Sequence, residues 1–300
     1  MTNGMLEFYR THSFITNPME EACQLENLPE DLSSLCRISR QAIIHFQAPE
    51  LRDLPDLAER FEERHTRDVK TMLQKLRSKS GTVLSQPRPP HQRLIGNCRD
   101  HATLLCSLLR QQEIPARVRF GFASYIRHPE FLYPDHVLCE YWDAEVGRWK
   151  LVDAEQDDTL IESNGLDFDP LNVPRDRFIV AGQACQMCRD GQTSQDEFGF
   201  EGEMKGVWII QSYLVHDLAA LNKVEFLIQD CWGLADIGPD NVNSKEENNL
   251  IDRVAELTAK SDDFSALSQI YSHPRLEVPA EVNCYTDFNQ ARKVLLPHQA

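Results

Sequence analysis

Long apolar runs are missing from this sequence. No stretch approaches the roughly 18 consecutive apolar residues that a membrane-spanning helix needs. Residues 1–10 also lack the basic end and the following apolar run of a secretory signal. We therefore expect a soluble, cytoplasmic protein with no membrane partner, while export by a route without a cleaved signal stays open.

Basic residues are scarce relative to acidic ones. The 300-residue chain has 31 lysines and arginines against 47 aspartates and glutamates, which gives a formal net charge of −16. Because such a surface repels phosphate groups, the composition argues against nucleic acid and anionic membranes as partners. The charge carries no information on the fold or on the oligomeric state.

A disulfide framework is also missing. The nine cysteines are odd in number and scattered along the chain from Cys23 to Cys284. Free thiols in a reducing compartment are the simpler interpretation for a chain of this length. One Cys-x-x-Cys pair, Cys185 and Cys188, is present, with no second pair to complete a four-cysteine zinc site.

The pattern of the chain predicts three parts. Apolar residues recur at helical spacing through residues 1–85, with Ser39 a polar gap in one stripe. A rigid connector is predicted by Pro87, Pro89 and Pro90. Residues 86–180 are expected to form the core, and residues 181–300 a mostly helical extension that packs on it. In that extension, helices are predicted over 181–189, 214–228 and 250–259, with loops at 189–206 and 236–248.

The middle of the chain has the clearest pattern. Asn97 can cap a helix that carries an apolar stripe and ends before Pro115. Residues 116–122 alternate between apolar and other residues, which predicts a half-buried strand. Two further strands, 136–142 and 148–153, are separated by a turn short enough for a hairpin. A helix packed on one face of an antiparallel sheet is an α+β arrangement, which is the predicted fold class.

Cys98 is a candidate nucleophile. A cysteine reacts as its thiolate, and because a free thiol has a pKa near 8.5, it needs a nearby cation or dipole. Unpaired N–H groups in the first turn of the predicted helix favour the thiolate, and the charges of Arg99 and Asp100 are expected to offset each other. The alternative is structural, since Cys98 also begins the apolar stripe and a buried cysteine behaves as a small hydrophobe.

His136 and Asp153 are candidates to complete a triad with Cys98. Such a site needs an imidazole that takes the thiol proton and a carboxylate or amide that holds the other ring nitrogen. Facing residues of a hairpin have residue numbers with a constant sum, which is 289 for this pair. That sum predicts direct cross-strand neighbours, about 5 Å apart at Cβ. Taken singly, a structural histidine and a strand-end cap explain the two residues as well.

These residues resemble the core motifs of the transglutaminase-like superfamily. The matching stretches are Gly96-Asn97-Cys98, Leu108-Leu109-Arg110, Glu113 to Val118, Asp135-His136 and Trp149 to Asp153. The later chain looks like the extension of longer bacterial proteins with this domain, in the stretches Ala181-Gly182, Cys188 to Gly191 and Asp217 to Asn222. Two positions depart from the family pattern, with Leu138 in place of a common Trp and Glu113 in place of the usual Gly.

The resemblance implies a papain-like core and mechanism that needs no cofactor and acts on a protein or peptide substrate. Cys98 would attack an amide carbonyl and form a thioester, His136 would move the proton, and Asp153 would fix the tautomer of the histidine. Water or an amine would then take the acyl group, and analogy with bacterial members favours hydrolysis. Gln92 has the spacing of a papain-like oxyanion glutamine, although a solvated surface residue explains it too.

Two other functions stay open from the sequence. Cys185 and Cys188 have the half-site spacing of a zinc knuckle or a dithiol switch, and Cys98 with His101 could complete a set of three cysteines and one histidine. The second alternative is a catalytically inactive protein that uses the same fold for binding. The cysteine mechanism itself predicts no metal at the site.

Overall fold

The structure is a computed structural model that describes residues 3–52, 54, 56–81, 83–287 and 290–296. The ends of the predicted first and last parts, residues 1 and 300, lie outside this range. The α-helices span Asn3–Arg10 (α1), Leu32–Ala42 (α2), Leu57–Arg60 (α3), Val69–Ser80 (α4), Cys98–Gln111 (α5), Asp158–Asn164 (α6), Ala181–Arg189 (α7), Val207–Leu221 (α8), Lys245–Lys260 (α9) and Phe264–Tyr271 (α10).

Within the described residues, the strands form three sheets, of two, three and five strands. They span Ile43–His45 (β1), Leu94–Gly96 (β2), Ala116–Ala123 (β3), Tyr133–Asp143 (β4), Arg148–Val152 (β5), Phe178–Val180 (β6), Phe198–Gly199 (β7), Asp230–Cys231 (β8), Glu281–Asp287 (β9) and Gln290–Leu295 (β10). β1 and β2 pair in parallel, β10, β9 and β8 form an antiparallel sheet, and the largest sheet has the order β5-β4-β3-β6 with β7 beside β4. Helices combined with a mainly antiparallel sheet confirm the α+β class.

The chain folds into two compact units. The Cys98 unit comprises Thr2–Val118 and Leu138–Val173, and the His136 unit comprises Arg119–Val137 and Pro174–Ala300 together with Met1. The chain passes from one unit to the other within β3 and again within β4. The three-part division made from the sequence stays a prediction.

The Cys98 unit is built around α5. Every residue of this helix from Cys98 to Arg110 is buried, and α2 and α4 pack against it. The polar residues of such a helix need partners inside the protein. Arg110 has them, because its Nη1 donates to Thr16 Oγ1 at 2.8 Å and its Nε to the carbonyl of Ala116 at 3.0 Å.

Strand β3 is more buried than the alternating pattern predicted. All eight of its residues are buried, so the prediction of a half-buried strand is wrong. In the Cys98 unit, the guanidinium of Arg117 lies over the rings of Tyr9 and Trp149, 5.2 and 4.2 Å from their centroids, and pairs with Glu140 at 2.7 Å. A half-buried strand would have left Arg117 exposed. It points into the protein instead, where a carboxylate and two aromatic rings stabilise its charge.

The His136 unit contains a buried ion pair between β3 and α8. Arg119 donates from Nε and Nη2 to the two carboxylate oxygens of Asp217, both at 2.9 Å, and both side chains have no exposed surface. Asp217 also accepts the backbone N–H of Phe120 at 2.9 Å. Arg119 donates in addition to the carbonyl of Thr258 on α9. Asp217, the first residue of the Asp217 to Asn222 stretch, thus joins β3 to the helices of this unit.

Gly182 allows α7 and α9 to approach closely within the same unit. A Cβ atom at this position would lie 2.3 Å from Thr258 Oγ1 and 2.6 Å from the carbonyl oxygen of Ala255. Only a residue without a side chain fits at this crossing. The Ala181-Gly182 stretch therefore has a packing role.

Several element boundaries differ from those expected. Helix α2 ends at Ala42, because Ile43 enters β1 and pairs with Leu94. α8 spans 207–221, where the pattern predicted 214–228, and α9 begins at Lys245, within a predicted loop. The antiparallel sheet of β8, β9 and β10 was not predicted, since its short strands carry little periodicity. Among the residues described, no helix has the length and apolar character that a bilayer span requires.

Candidate active site

Cys98 is the first residue of α5, and the two residues before it shape the helix start. The side chain of Asn97 accepts the N–H of Arg99 at 3.0 Å, and the backbone N–H of Asn97 donates to Asp100 Oδ2 at 2.9 Å. This reciprocal arrangement is a capping box, which confirms Asn97 as the predicted N-cap. Cys98 therefore lies at the positive end of the helix dipole, with 8% of its surface exposed.

Arg99 and Asp100, both in the first turn of α5, form an ion pair with each other. Arg99 Nη1 lies 2.9 Å from Asp100 Oδ1, and both side chains are buried. Burial raises the pKa of Asp100, while the Arg99 charge and its hydrogen bond oppose that shift. Because the two charges are in direct contact, they compensate each other, as the sequence argument expected. The helix dipole is then the main local influence of α5 on Cys98.

Gly96 is required by this capping box. A Cβ atom at Gly96 would lie 2.6 Å from Asp100 Oδ2. We expect Gly96→Ala to displace the Asp100 carboxylate, to lower the free energy of unfolding by about 1–2 kcal/mol through loss of the cap, and to slow alkylation of Cys98. Urea unfolding and iodoacetamide kinetics measure the two effects. Gly4→Ala, where a Cβ atom meets nothing within 4 Å, is the matched control, and an equal effect of both substitutions would contradict this role.

His101 has a structural environment. Its Nδ1 shares a hydrogen bond of 3.1 Å with Ser39 Oγ from α2. Burial lowers the pKa of His101 to about 4, so the ring is neutral at physiological pH. Ser39, the polar gap in the helical stripe, is thus explained as the partner of a buried histidine.

The hairpin of β4 and β5 has a different register from the predicted one. Cys139 pairs with Val152 and Asp143 with Arg148, so the residue numbers of each pair sum to 291. The predicted direct pairing of His136 with Asp153, with a sum of 289, is therefore wrong. The shift arises because Gly147 adopts a positive φ of 64° and the Asp143 side chain accepts the N–H of Glu145, which together extend the loop. A shift of two residues leaves each side chain on its predicted face.

Asp153 follows the last residue of β5 in the Cys98 unit. Its backbone N–H donates to the carbonyl of Pro170 at 2.9 Å, and its Oδ1 accepts the N–H of Glu155 at 3.0 Å. Only 2% of the residue is exposed. The carboxylate is therefore held in one orientation by the turn that follows it.

His136 lies on β4 in the His136 unit, with 3% of its surface exposed. Two aromatic rings pack edge-on against the imidazole: Tyr125, with centroids 6.2 Å apart, and Phe178, at 6.5 Å. Such packing restricts the ring to few orientations. Cys98 and Asp153 belong to one unit and His136 to the other, so the meeting of the three side chains stays a prediction.

A family model of the transglutaminase-like superfamily matches residues 57–154. These residues form a transglutaminase-like domain. No curated protein and no solved structure matches the chain significantly. The matched range begins with α3, ends directly after Asp153 and contains all three predicted triad residues. The resemblance stated from the motifs is thereby confirmed for this part of the chain, while the papain-like arrangement of the core stays a prediction.

The transglutaminase-like domain also contains Gln92, the candidate oxyanion donor. Gln92 ends a short 3-10 turn, in which its N–H donates to the carbonyl of Pro89 at 2.9 Å, and its side chain is partly exposed. β2 follows and leads the chain to Cys98. Among the residues described, none forms a hydrogen bond with the Gln92 side chain, and the role of Gln92 stays a prediction.

The cysteine pair outside the transglutaminase-like domain lies on α7. Cys185 and Cys188 are free thiols, as are the other seven cysteines. Burial raises the pKa of Cys185 to about 11 and also raises that of Cys188. Within the described part of the chain, no group of three or more His, Cys, Asp or Glu side chains is placed to hold a metal ion.

Sequence reasoning missed the anchoring of the residue before His136. The hydroxyl of Tyr213 on α8 donates to the carboxylate of Asp135, and the Tyr213 ring packs against Phe122 with centroids 5.2 Å apart. The usable signal was a tyrosine among the many apolar residues of α8, because a buried hydroxyl needs a hydrogen-bond partner.

Proposed function

We propose that this protein is a cysteine-dependent amide-bond hydrolase or acyltransferase. In this proposal Cys98 is the nucleophile, His136 its general base and Asp153 the carboxylate that orients the base. The observation that carries it is the match of residues 57–154 to the transglutaminase-like superfamily, a superfamily whose members are generally enzymes. All three residues fall inside the matched range and inside its motifs.

The local structure around Cys98 supports the choice of nucleophile. The thiol lies at the capped start of a buried helix, where the dipole favours a negative charge. At two thiols away from this helix start, burial raises the pKa of Cys36 to about 12 and also raises that of Cys139. Those cysteines stay protonated at neutral pH and are poor nucleophiles.

The environments of His136 and Asp153 support their roles. A general base needs a defined orientation, and aromatic rings pack edge-on against His136. An orienting carboxylate needs a fixed side chain, and the N–H of Glu155 holds Asp153. His136 lies on β4, and Asp153 follows the end of β5, the hairpin partner of β4.

The proposed reaction has two steps. The Cys98 sulfur attacks the amide carbonyl carbon while its proton passes to His136, and the C–N bond then breaks as His136 returns that proton to the leaving amine. This leaves a thioester on Cys98. Water or a second amine attacks the thioester carbonyl, its proton passes to His136, and the C–S bond breaks to release the thiol and the acyl product.

The acyl-enzyme is the species that tests the proposal. We expect intact-mass spectrometry after incubation with a peptide library to show a covalent adduct on the wild-type chain and none on Cys98→Ala. Cys36→Ala is the matched control, because it removes a fully buried thiol and should retain the adduct.

Two outcomes would contradict the proposal. An adduct that persists in Cys98→Ala would place the nucleophile elsewhere. A wild-type chain that forms no adduct, and whose Cys98 is no more reactive than the exposed Cys23, would instead favour an inactive binding protein of this superfamily.

A further inference from the structure

Two elements that precede residue 57 bring polar side chains to the candidate site. Arg40 on α2 donates from Nη1 to the carbonyl of Ala154 at 3.1 Å, directly after Asp153. His45 ends β1 and is the parallel-strand partner of Gly96. The chain upstream of the family match therefore borders both the start of α5 and the turn after β5.

His45 projects toward the start of α5. A Cβ atom built at Gly96 would meet Ile43 Cγ2 at 3.0 Å and Asp100 Oδ2 at 2.6 Å. Ile43 and His45 are two residues apart in a strand and so share this face. Because neighbouring strands are about 4.8 Å apart and Cys98 is two residues beyond Gly96, the backbones of His45 and Cys98 are on the order of 8 Å apart.

His45 and Glu155 face each other across a gap. His45 Nε2 lies 4.0 Å from Glu155 Oε1, and the side chains keep 26% and 15% of their surface exposed. This separation is beyond hydrogen-bonding distance. No hydrogen bond within the described residues reaches the Glu155 carboxylate, while the Glu155 backbone N–H is held by Asp153.

The hydrogen-bonding roles of this pair are defined. The N–H of Gln47 donates to His45 Nδ1 at 3.2 Å, so the neutral imidazole carries its proton on Nε2. His45 therefore presents an N–H donor from Nε2 whether the ring is neutral or protonated. The carboxylate oxygens of Glu155 act as acceptors. A donor and an acceptor thus lie side by side, partly buried and open to a ligand that offers the complementary groups.

An amide group has these complementary features. Its carbonyl oxygen accepts from His45 Nε2, and its N–H donates to the Glu155 carboxylate. A carboxylate ligand lacks the donor and is repelled by Glu155, whereas an ammonium group lacks the acceptor that His45 requires. Within a peptide substrate, the amides that flank the reacting bond are the groups available at this distance from Cys98.

We propose that His45 and Glu155 bind a backbone amide of the substrate beside the bond that reacts at Cys98. The inference rests on the proposed function and names its substrate class: a polypeptide with unsubstituted N–H groups next to the reacting carbonyl. Residues outside the matched domain then determine specificity, since β1 supplies the donor and the turn after Asp153 supplies the acceptor.

Alkylation with matched peptide and ester reagents tests the proposal. The probes are iodoacetyl-glycyl-glycinamide and its analogue in which ester oxygens replace the N–H groups. Peptide mass analysis gives the alkylation rate of Cys98 with each probe. Each rate is divided by the rate at which methyl methanethiosulfonate modifies Cys98, so that changes in the reactivity of the thiol itself cancel. Exposed Cys23 in the same samples is the internal control.

We expect the amide-to-ester rate ratio at Cys98 to exceed the same ratio at Cys23 by about 10- to 100-fold, the size of a hydrogen bond to a charged group, since the intrinsic difference between the two reagents is the same at both thiols. His45→Phe keeps the ring packing on Phe46, whose centroid is 4.6 Å away, and Glu155→Leu keeps the side-chain size. Both substitutions should reduce the amide-to-ester rate ratio at Cys98 to the value measured at Cys23.

The outcomes separate the two proposals. The amide site would be overturned if the wild-type protein had the same amide-to-ester rate ratio at Cys98 as at Cys23. It would also be overturned if the high ratio at Cys98 persisted in both His45→Phe and Glu155→Leu. In either case the pair would be bridged by water alone. A Cys98 that does not react with methyl methanethiosulfonate would overturn the proposed function and this inference with it. Circular dichroism of both variants confirms that they are folded.

Discussion

Replacing Asp217 with alanine is expected to lower the free energy of unfolding by about 3–5 kcal/mol, because it leaves the buried guanidinium of Arg119 without its carboxylate. The pair has no exposed surface and is bidentate at 2.9 Å. Phe120 also loses the acceptor of its N–H. Urea unfolding followed by circular dichroism measures the change.

A double variant shows whether the unpaired charge is the cause. Arg119→Met combined with Asp217→Leu removes both charges and should recover a large part of the lost stability, since apolar residues of similar size can replace a buried pair. Arg253→Ala is the control, because this arginine pairs with Glu256 at an exposed site and little change is expected. A single Asp217→Ala variant as stable as the control would contradict the structural role of the pair.

Replacing His136 with alanine is expected to reduce turnover of a peptide substrate by about 10²- to 10⁴-fold, the usual contribution of a general base. The rate at which iodoacetamide alkylates Cys98 should fall as well, because the thiolate loses its imidazole partner. Steady-state kinetics and pseudo-first-order alkylation rates measure the two effects. If His136 acts in both reactions, the turnover rate and the alkylation rate of Cys98 must fall together.

His273→Ala is the matched control for this prediction. His273 is an exposed histidine of the same unit, and its removal should leave turnover and alkylation unchanged. Retained turnover in His136→Ala would show that another group acts as the base, and His45 would be the next residue to replace.

The candidate site could be predicted from short-range signals in most respects. The cap at Asn97 and the apolar stripe after it located the helix start, since capping depends on residues three positions apart. The positions of β4 and β5 followed from two strand-like runs, 136–142 and 148–153, with a short turn between them. The register did not follow, because a glycine with positive φ and an aspartate side chain shaped the turn, and both 289 and 291 are compatible with the same alternation.

The contacts of buried polar residues around the site could not be predicted from the sequence. The predicted half-buried strand would have left Arg117 exposed, although Glu140, Tyr9 and Trp149 stabilise it inside the protein. These partners come from separate strands and from α1. The contact of Tyr213 with Asp135 joins residues 78 positions apart, and periodicity carries no information on such pairs.

The sequence by itself determined the family of residues 57–154, the start of α5, the α+β class and the three residues proposed for catalysis, because each depends on residue type and near-neighbour spacing. Only the tertiary structure decided the register of the hairpin, the burial of Arg117 and Arg119, and the approach of His45 to Glu155. Those features arise when distant segments pack together, since a buried charge is tolerated only where the fold brings its partner to it.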